Sequence, residues 1–147
     1  MLDVYRELMD LLAGTPTQLR EAAAAAGDPP PGEWGADEIA AHMAAGEQFY
    51  LERLNILLNQ SNPYLYSFGA AADARTEELR AGSLEANVAE FGLQRGETVS
   101  LLMGMTLVDW RRTGNHETLG EISIEDVIEE MIDHDADHIA QLRDLAP

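Results

Sequence analysis

Residues 123–145 read SIEDVIEEMIDHDADHIAQLRDL. Ile124, Ile128, Met131, Ile132, Ile139, Leu142 and Leu145 recur at three- and four-residue intervals, the spacing that gathers side chains on one face of an α-helix. Ser123 with Asp126 three positions on is an S-x-x-D start signal, so the stretch predicts a long amphipathic helix from near Ser123 to Leu145, ahead of the terminal Pro147. Within it His134 and His138 are four residues apart, which sets their rings one above the other on a single face.

Working outward, Leu107 to Gly120 reads as a turn-rich link with Trp110, Gly114 and Asn115. Before it, Ser83 is a good N-cap for a helix from Leu84 to about Gly104, with Val88, Phe91, the aliphatic stem of Arg95, Val99, Leu102 and Met103 as its stripe. Residues 60–83 carry weaker signals: an apolar patch at Tyr64, Leu65, Tyr66 and Phe68, then a short charged helical turn from Asp73 to Arg80. A helix from about Ala36 to Asn59 is predicted by Asp37 and Glu38 at its start and by the stripe Ile39, Met43, Tyr50, Leu54 and Leu57. Gly27 to Gly35, with Pro29, Pro30 and Pro31, must be a loop. The first helix carries Leu2, Tyr5, Leu8, Met9 and Leu12 and reaches about Ala13. At Gly14 to Gln18 a capping-box pattern around Pro16 predicts either a kink or a restart that runs through Leu19 to Ala26. Four amphipathic helices with modest loops, and no strand candidate, imply an all-α chain: one antiparallel four-helix bundle spanning 1–147.

Composition narrows the function classes. The net charge is -18, from 27 acidic and 9 basic residues. All nine basic residues are Arg, and they are scattered, so neither the phosphate backbone of nucleic acid nor an anionic membrane surface finds a concentrated basic patch. Cysteine is absent, which removes disulfides, thiolate nucleophiles and sulfur-rich zinc sites and leaves any metal to N and O ligands. No apolar run is long enough to span a bilayer, and the first residues lack a basic, apolar export signal, so the expected location is cytoplasmic.

The chemistry then rests on histidine. His42 sits on the second helix one position before the inward-facing Met43, and if that helix neighbours the last one, His42, His134 and His138 can converge inside the bundle. Three neutral imidazoles suit a borderline divalent ion and leave coordination positions open for water or substrate. An H-x-x-x-H pair by itself is more often a pair of hydrogen-bonded histidines. A zincin reading fails because Asp135 and Ala136 follow His134, and the di-iron E-x-x-H pattern fails because Met131 and Ile39 stand three residues before His134 and His42.

The combined pattern resembles the DinB and YfiT-like superfamily. Gly32-Glu33-Trp34 leads through Glu38-Ile39 to His42, Trp110, Arg111, Gly114 and His116 precede Gly120, and His134-Asp135-x-x-His138-Ile139-x-Gln141 closes the chain. The resemblance covers most of the sequence, least at 60–83. It implies a four-helix bundle, often a homodimer, with Zn or Ni held by His42, His134 and His138. It also implies a metal-dependent enzyme acting on a small-molecule substrate, as a hydrolase or as an S-transferase with a low-molecular-weight thiol cosubstrate. The competing expectation is a non-catalytic, stress-related bundle or sensor whose site is structural or empty.

Other residues have plainer readings. His116 is expected to tie down its loop, and Trp34 and Trp110 to close the bundle ends by packing. Glu130 reads as solvated, with a metal ligand or an orienter of one as the alternatives, and Asp133, Asp135 and Asp137 read as an outer charged face, with a hydrogen bond from a ligand histidine as the alternative for one of them. Arg53 reads as an ion-pair partner for an acidic neighbour, with an anion contact at a pocket wall as the alternative. Met103 to Met105 reads as core filler.

Overall fold

A computed structural model describes residues 3–147. Four long helices form the body: α1 (Asp3–Ala25), α2 (Ala36–Asn59), α4 (Leu84–Met103) and α6 (Ile124–Arg143). Two shorter ones, α3 (Gly69–Arg80) and α5 (Leu107–Trp110), lie in the connections. Leu2, assigned by spacing to the first apolar stripe, lies outside the described residues. The long helices make a ring in which α1 neighbours α4 and α6, and α2 neighbours the same two from the other side. Contacts such as Leu12 with Arg95 and His42 with His134 show α1 antiparallel to α4 and α2 antiparallel to α6. Thr15 meets Asp135 and Gly27 meets Leu145, so α1 runs alongside α6 in the same sense.

The helix ends follow the local chemistry. Ser123 Oγ accepts from the Asp126 N–H at 3.1 Å while Asp126 accepts from the Ser123 N–H at 2.8 Å, the reciprocal cap that the S-x-x-D pattern predicts. Ser83 Oγ accepts from the Ala86 N–H, and Glu38 accepts from the Gly35 N–H at the start of α2. Where kink and restart were both open, α1 is one helix through Pro16. Thr15 is therefore no N-cap; its hydroxyl donates to Asp135. The charged turn expected at 73–80 is longer, α3 beginning at Gly69.

The expectation of no strands is overturned. β1 (Tyr64–Leu65) pairs parallel with β2 (Thr113–His116), which pairs antiparallel with β3 (Gly120–Ser123). The strands are too short, and too poor in alternating apolar residues, to leave a period-2 signal. Their buried Leu65 and Ile122 seal one end of the bundle beside Trp110. Gly114 is required in this sheet: a Cβ there would meet the Pro63 carbonyl at 2.8 Å and Leu57 Cδ2 at 3.0 Å. Gly120 turns the hairpin with φ +74°, a conformation that favours glycine.

The core is in two apolar clusters. One gathers Tyr5, Met9, Leu12, Leu54, Leu102 and Ile128; the other gathers Leu19, Ile39, Met43, Phe91, Ile139 and Leu142. On every long helix a polar residue separates the two: Thr15 on α1, Glu47 on α2, Arg95 on α4 and Asp135 on α6, all buried. Met103 departs from its predicted core role and is exposed, whereas Met105 is buried.

Candidate metal centre

α2 and α6 run antiparallel with their apolar stripes face to face, which brings His42 opposite the turn of α6 that carries His134 and His138. One ligand nitrogen from each of the three lies within 4.8 Å of the others. The Nε2 atoms of His42 and His134 are 3.0 Å apart. Nitrogens bound at about 2.0–2.1 Å to one tetrahedral ion stand roughly 3.3 Å apart, so this spacing fits a shared cation. His138 Nδ1 donates to Gln141 Oε1 at 3.0 Å, which leaves the lone pair on Nε2 free for an ion. Gly46 lies between His42 and Tyr50 on α2 and faces the His134 ring, where an added Cβ would stand in ordinary contact with Cε1 at 3.6 Å.

The electrostatics favour the neutral form of His134 and His42. Burial, then the neighbouring His138 and His42, then Arg95, push the His134 pKa down to about 3. Burial and His138 lower that of His42, against a smaller opposing pull from Asp73. Metal ligation needs the unprotonated imidazole, and these surroundings supply it. His42 Nδ1 is buried without a partner among the described residues. The donor set is all nitrogen, which fits zinc, nickel and similar ions better than magnesium or calcium.

Around the cluster, Trp34 sits with its ring 5.2 Å from that of His42 and is 40% exposed. It walls the site, a correction to its expected role in closing a bundle end. Trp110 does pack as expected, fully buried and stacked on Tyr5. His116 lies apart from the metal cluster and, as read, ties its loop: Nδ1 accepts from the Thr118 and Leu119 N–H groups. Arg53 makes no ion pair within 4.0 Å among the described residues; it donates to the Tyr66 carbonyl and lies over the Phe68 ring. Glu130 is exposed, as are Asp133 and Asp137.

Asp135 is the important correction. Expected on the outer charged face, it is buried, and with Glu47 it grips the guanidinium of Arg95, whose stem alone had a predicted role. Arg95 donates from Nε and Nη2 to Glu47 at 2.8 and 2.9 Å, and from Nη1 and Nη2 to Asp135 at 2.7 and 3.0 Å. Nη1 also donates to the Leu12 carbonyl at 2.9 Å, so all five guanidinium hydrogens are used. Thr98 donates to Glu47, and Thr15 to Asp135. Proline explains the Leu12 contact: Pro16 has no N–H to offer the carbonyl four residues back, and Arg95 supplies the missing donor. The node lies one residue from His134 and five from His42, so it fixes the two helices on which the imidazoles stand.

A family model for the DinB superfamily matches residues 2–142. Among solved structures the fold is similar to YfiT from Bacillus subtilis, described as "a probable metal-dependent hydrolase with an unusual four-helix bundle topology", with a TM-score of 0.86 at 18% identity over 99% of this chain and 87% of that one. No protein of curated function matches.

Proposed function

The chain belongs to the DinB superfamily, and from that premise we propose that it is a metal-dependent enzyme whose divalent ion is held by His42, His134 and His138. The observation that carries the reading is the meeting of three imidazoles within 4.8 Å, half-buried, with no carboxylate closing the set among the described residues. When bound, such an ion supplies Lewis acidity and lowers the pKa of a coordinated water or thiol toward neutrality. The chain's own residues do the rest. Gln141 orients His138, the Arg95 node holds α2 against α6, and Trp34 screens one side of the site from solvent.

Hydrolysis is favoured by the description of YfiT, which shares the fold. S-transfer would need a small thiol cosubstrate, because a chain without cysteine has no sulfur nucleophile of its own. Zinc or nickel is the proposed ion on the chemistry of the ligands.

The test is elemental analysis of protein purified without a histidine tag, before and after chelation and reloading. About one ion per chain is expected, and His138→Ala should abolish it while the helical signal survives. A chain that cannot be loaded with zinc or nickel refutes the reading. If His138→Ala lowers thermal stability but turnover is nowhere detected in a panel of esters, amides and thiol-plus-electrophile pairs, the ion is structural.

A further inference from the structure

Two arginines of the described residues are buried. Arg95 is fully paired, whereas Arg53, 7% exposed, has no carboxylate within 4.0 Å among the described residues of a strongly acidic chain. A buried cation without a direct ion pair is unfavourable, and here Glu130 and Glu117 act on it only from beyond ion-pair distance; it is held by the Tyr66 carbonyl and the face of Phe68, 4.5 Å from its guanidinium carbon. It faces a cavity of about 250 Å³ shared with Ser67, Phe68, His116, Thr118 and Glu130.

The other walls are equally specific. Because His116 Nδ1 accepts two backbone N–H groups, the neutral ring carries its proton on Nε2 and has a second donor to offer. Glu130 brings a carboxylate to the same cavity, engaged by the Tyr50 hydroxyl and within the field of Arg53 but beyond ion-pair distance from it. A pocket with a cation and an anion held apart matches a ligand that carries both charges. A phosphate dianion would gain from Arg53 but be repelled by Glu130 and by the net charge of -18.

The cavity also adjoins the imidazoles. Glu130 is one turn before His134 on α6, about 6 Å along the axis. The Tyr50 ring stands between, 5.9 Å from that of His134 and 5.2 Å from that of Phe68.

We propose that this cavity binds the zwitterionic head of a small α-amino-acid-type ligand, its carboxylate on Arg53 and His116 and its ammonium on Glu130. The ligand's remaining atoms then extend past Tyr50 toward the three histidines. Only that last placement rests on the metal-site reading; binding of the head does not.

The test is a chemical-shift titration of the full chain, zinc-loaded and metal-free, with L-alanine, propionate, propylamine and inorganic phosphate as separate probes. L-alanine is expected to bind saturably, roughly tenfold or more tighter than propionate or propylamine, with shifts centred on Ser67, Phe68 and Thr118. Arg53→Met should weaken L-alanine by a similar factor. Because Arg53 is buried and its loss can unfold the chain, the exposed Glu130→Gln decides independently: it should erase the preference for L-alanine over propionate. The proposal is overturned if L-alanine binds no better than propionate, if phosphate binds tighter than both, or if Glu130→Gln leaves the preference intact. Loss of zinc loading with L-alanine binding retained would sink the metal reading alone, and the reverse would sink this one alone.

Discussion

His134 has a folded-state pKa near 3 against an ordinary value of 6.5, so the unfolded chain takes up a proton that the folded chain refuses. The stabilisation is complete above about 6.5 and is lost as pH falls from there toward 3, at up to roughly 1.4 kcal/mol per pH unit. Denaturant unfolding of the metal-free protein at pH 7, 6, 5 and 4 should show this decline, with His42 adding in the same direction; a flat profile would mean the rings are not held neutral. Arg95→Met should destabilise by about 3–5 kcal/mol, because it leaves Glu47 and Asp135 facing each other without a cation. Urea midpoints measure it. At this scale spacing alone put His134 and His138 on one face, whereas the approach of His42, which the structure shows, rested on which helices are neighbours and on the family resemblance. The node left a signal too: position 135 falls on the stripe 128, 131, 139, 142, and position 47 on the stripe 39, 43, 50, 54. A charge on an apolar stripe calls for a partner, but which helix supplies it depends on how four helices are rotated about their axes, and spacing within one helix says nothing of that.

Among the elements, the helices were the readable part because their ends are written in local chemistry, Ser83 and Ser123 as caps and the proline run as a break. Ser123→Ala should cost about 1 kcal/mol by removing one reciprocal cap, visible as a melting-temperature drop of a few degrees. Pro16 left kink and restart both open because a proline inside a helix ordinarily forfeits about 3 kcal/mol. Here the freed carbonyl is satisfied from α4, so Pro16→Ala should change stability by less than about 1 kcal/mol, measured by the same urea unfolding. A large gain on that substitution would mean that Arg95 does not compensate. The sheet was illegible for a different reason: strands of two and four residues are defined by their neighbours, with Gly114 chosen by the closeness of Pro63 and not by any local propensity.

Over the molecule as a whole, 27 acidic residues against 9 arginines generate self-repulsion that salt should relieve. Melting temperature is therefore expected to rise between 10 mM and 500 mM NaCl, as the screening length shrinks from about 30 Å to a few ångströms. A fall instead would show that exposed pairs such as Arg75 with Glu78 outweigh the repulsion. The placing of one charged layer between two apolar clusters has a further consequence for assembly. The last turn of α1, Ala22 to Ala25, is all alanine, a smooth surface that could slide along its neighbours with little change in buried area. Displace it by one turn, about 5.4 Å, and the guanidinium would face a carbonyl already engaged within its own helix. Away from the helix end, it is the proline-freed oxygen of Leu12 that is vacant, so a residue usually regarded as a breaker acts as the notch that sets the register of the sliding helix.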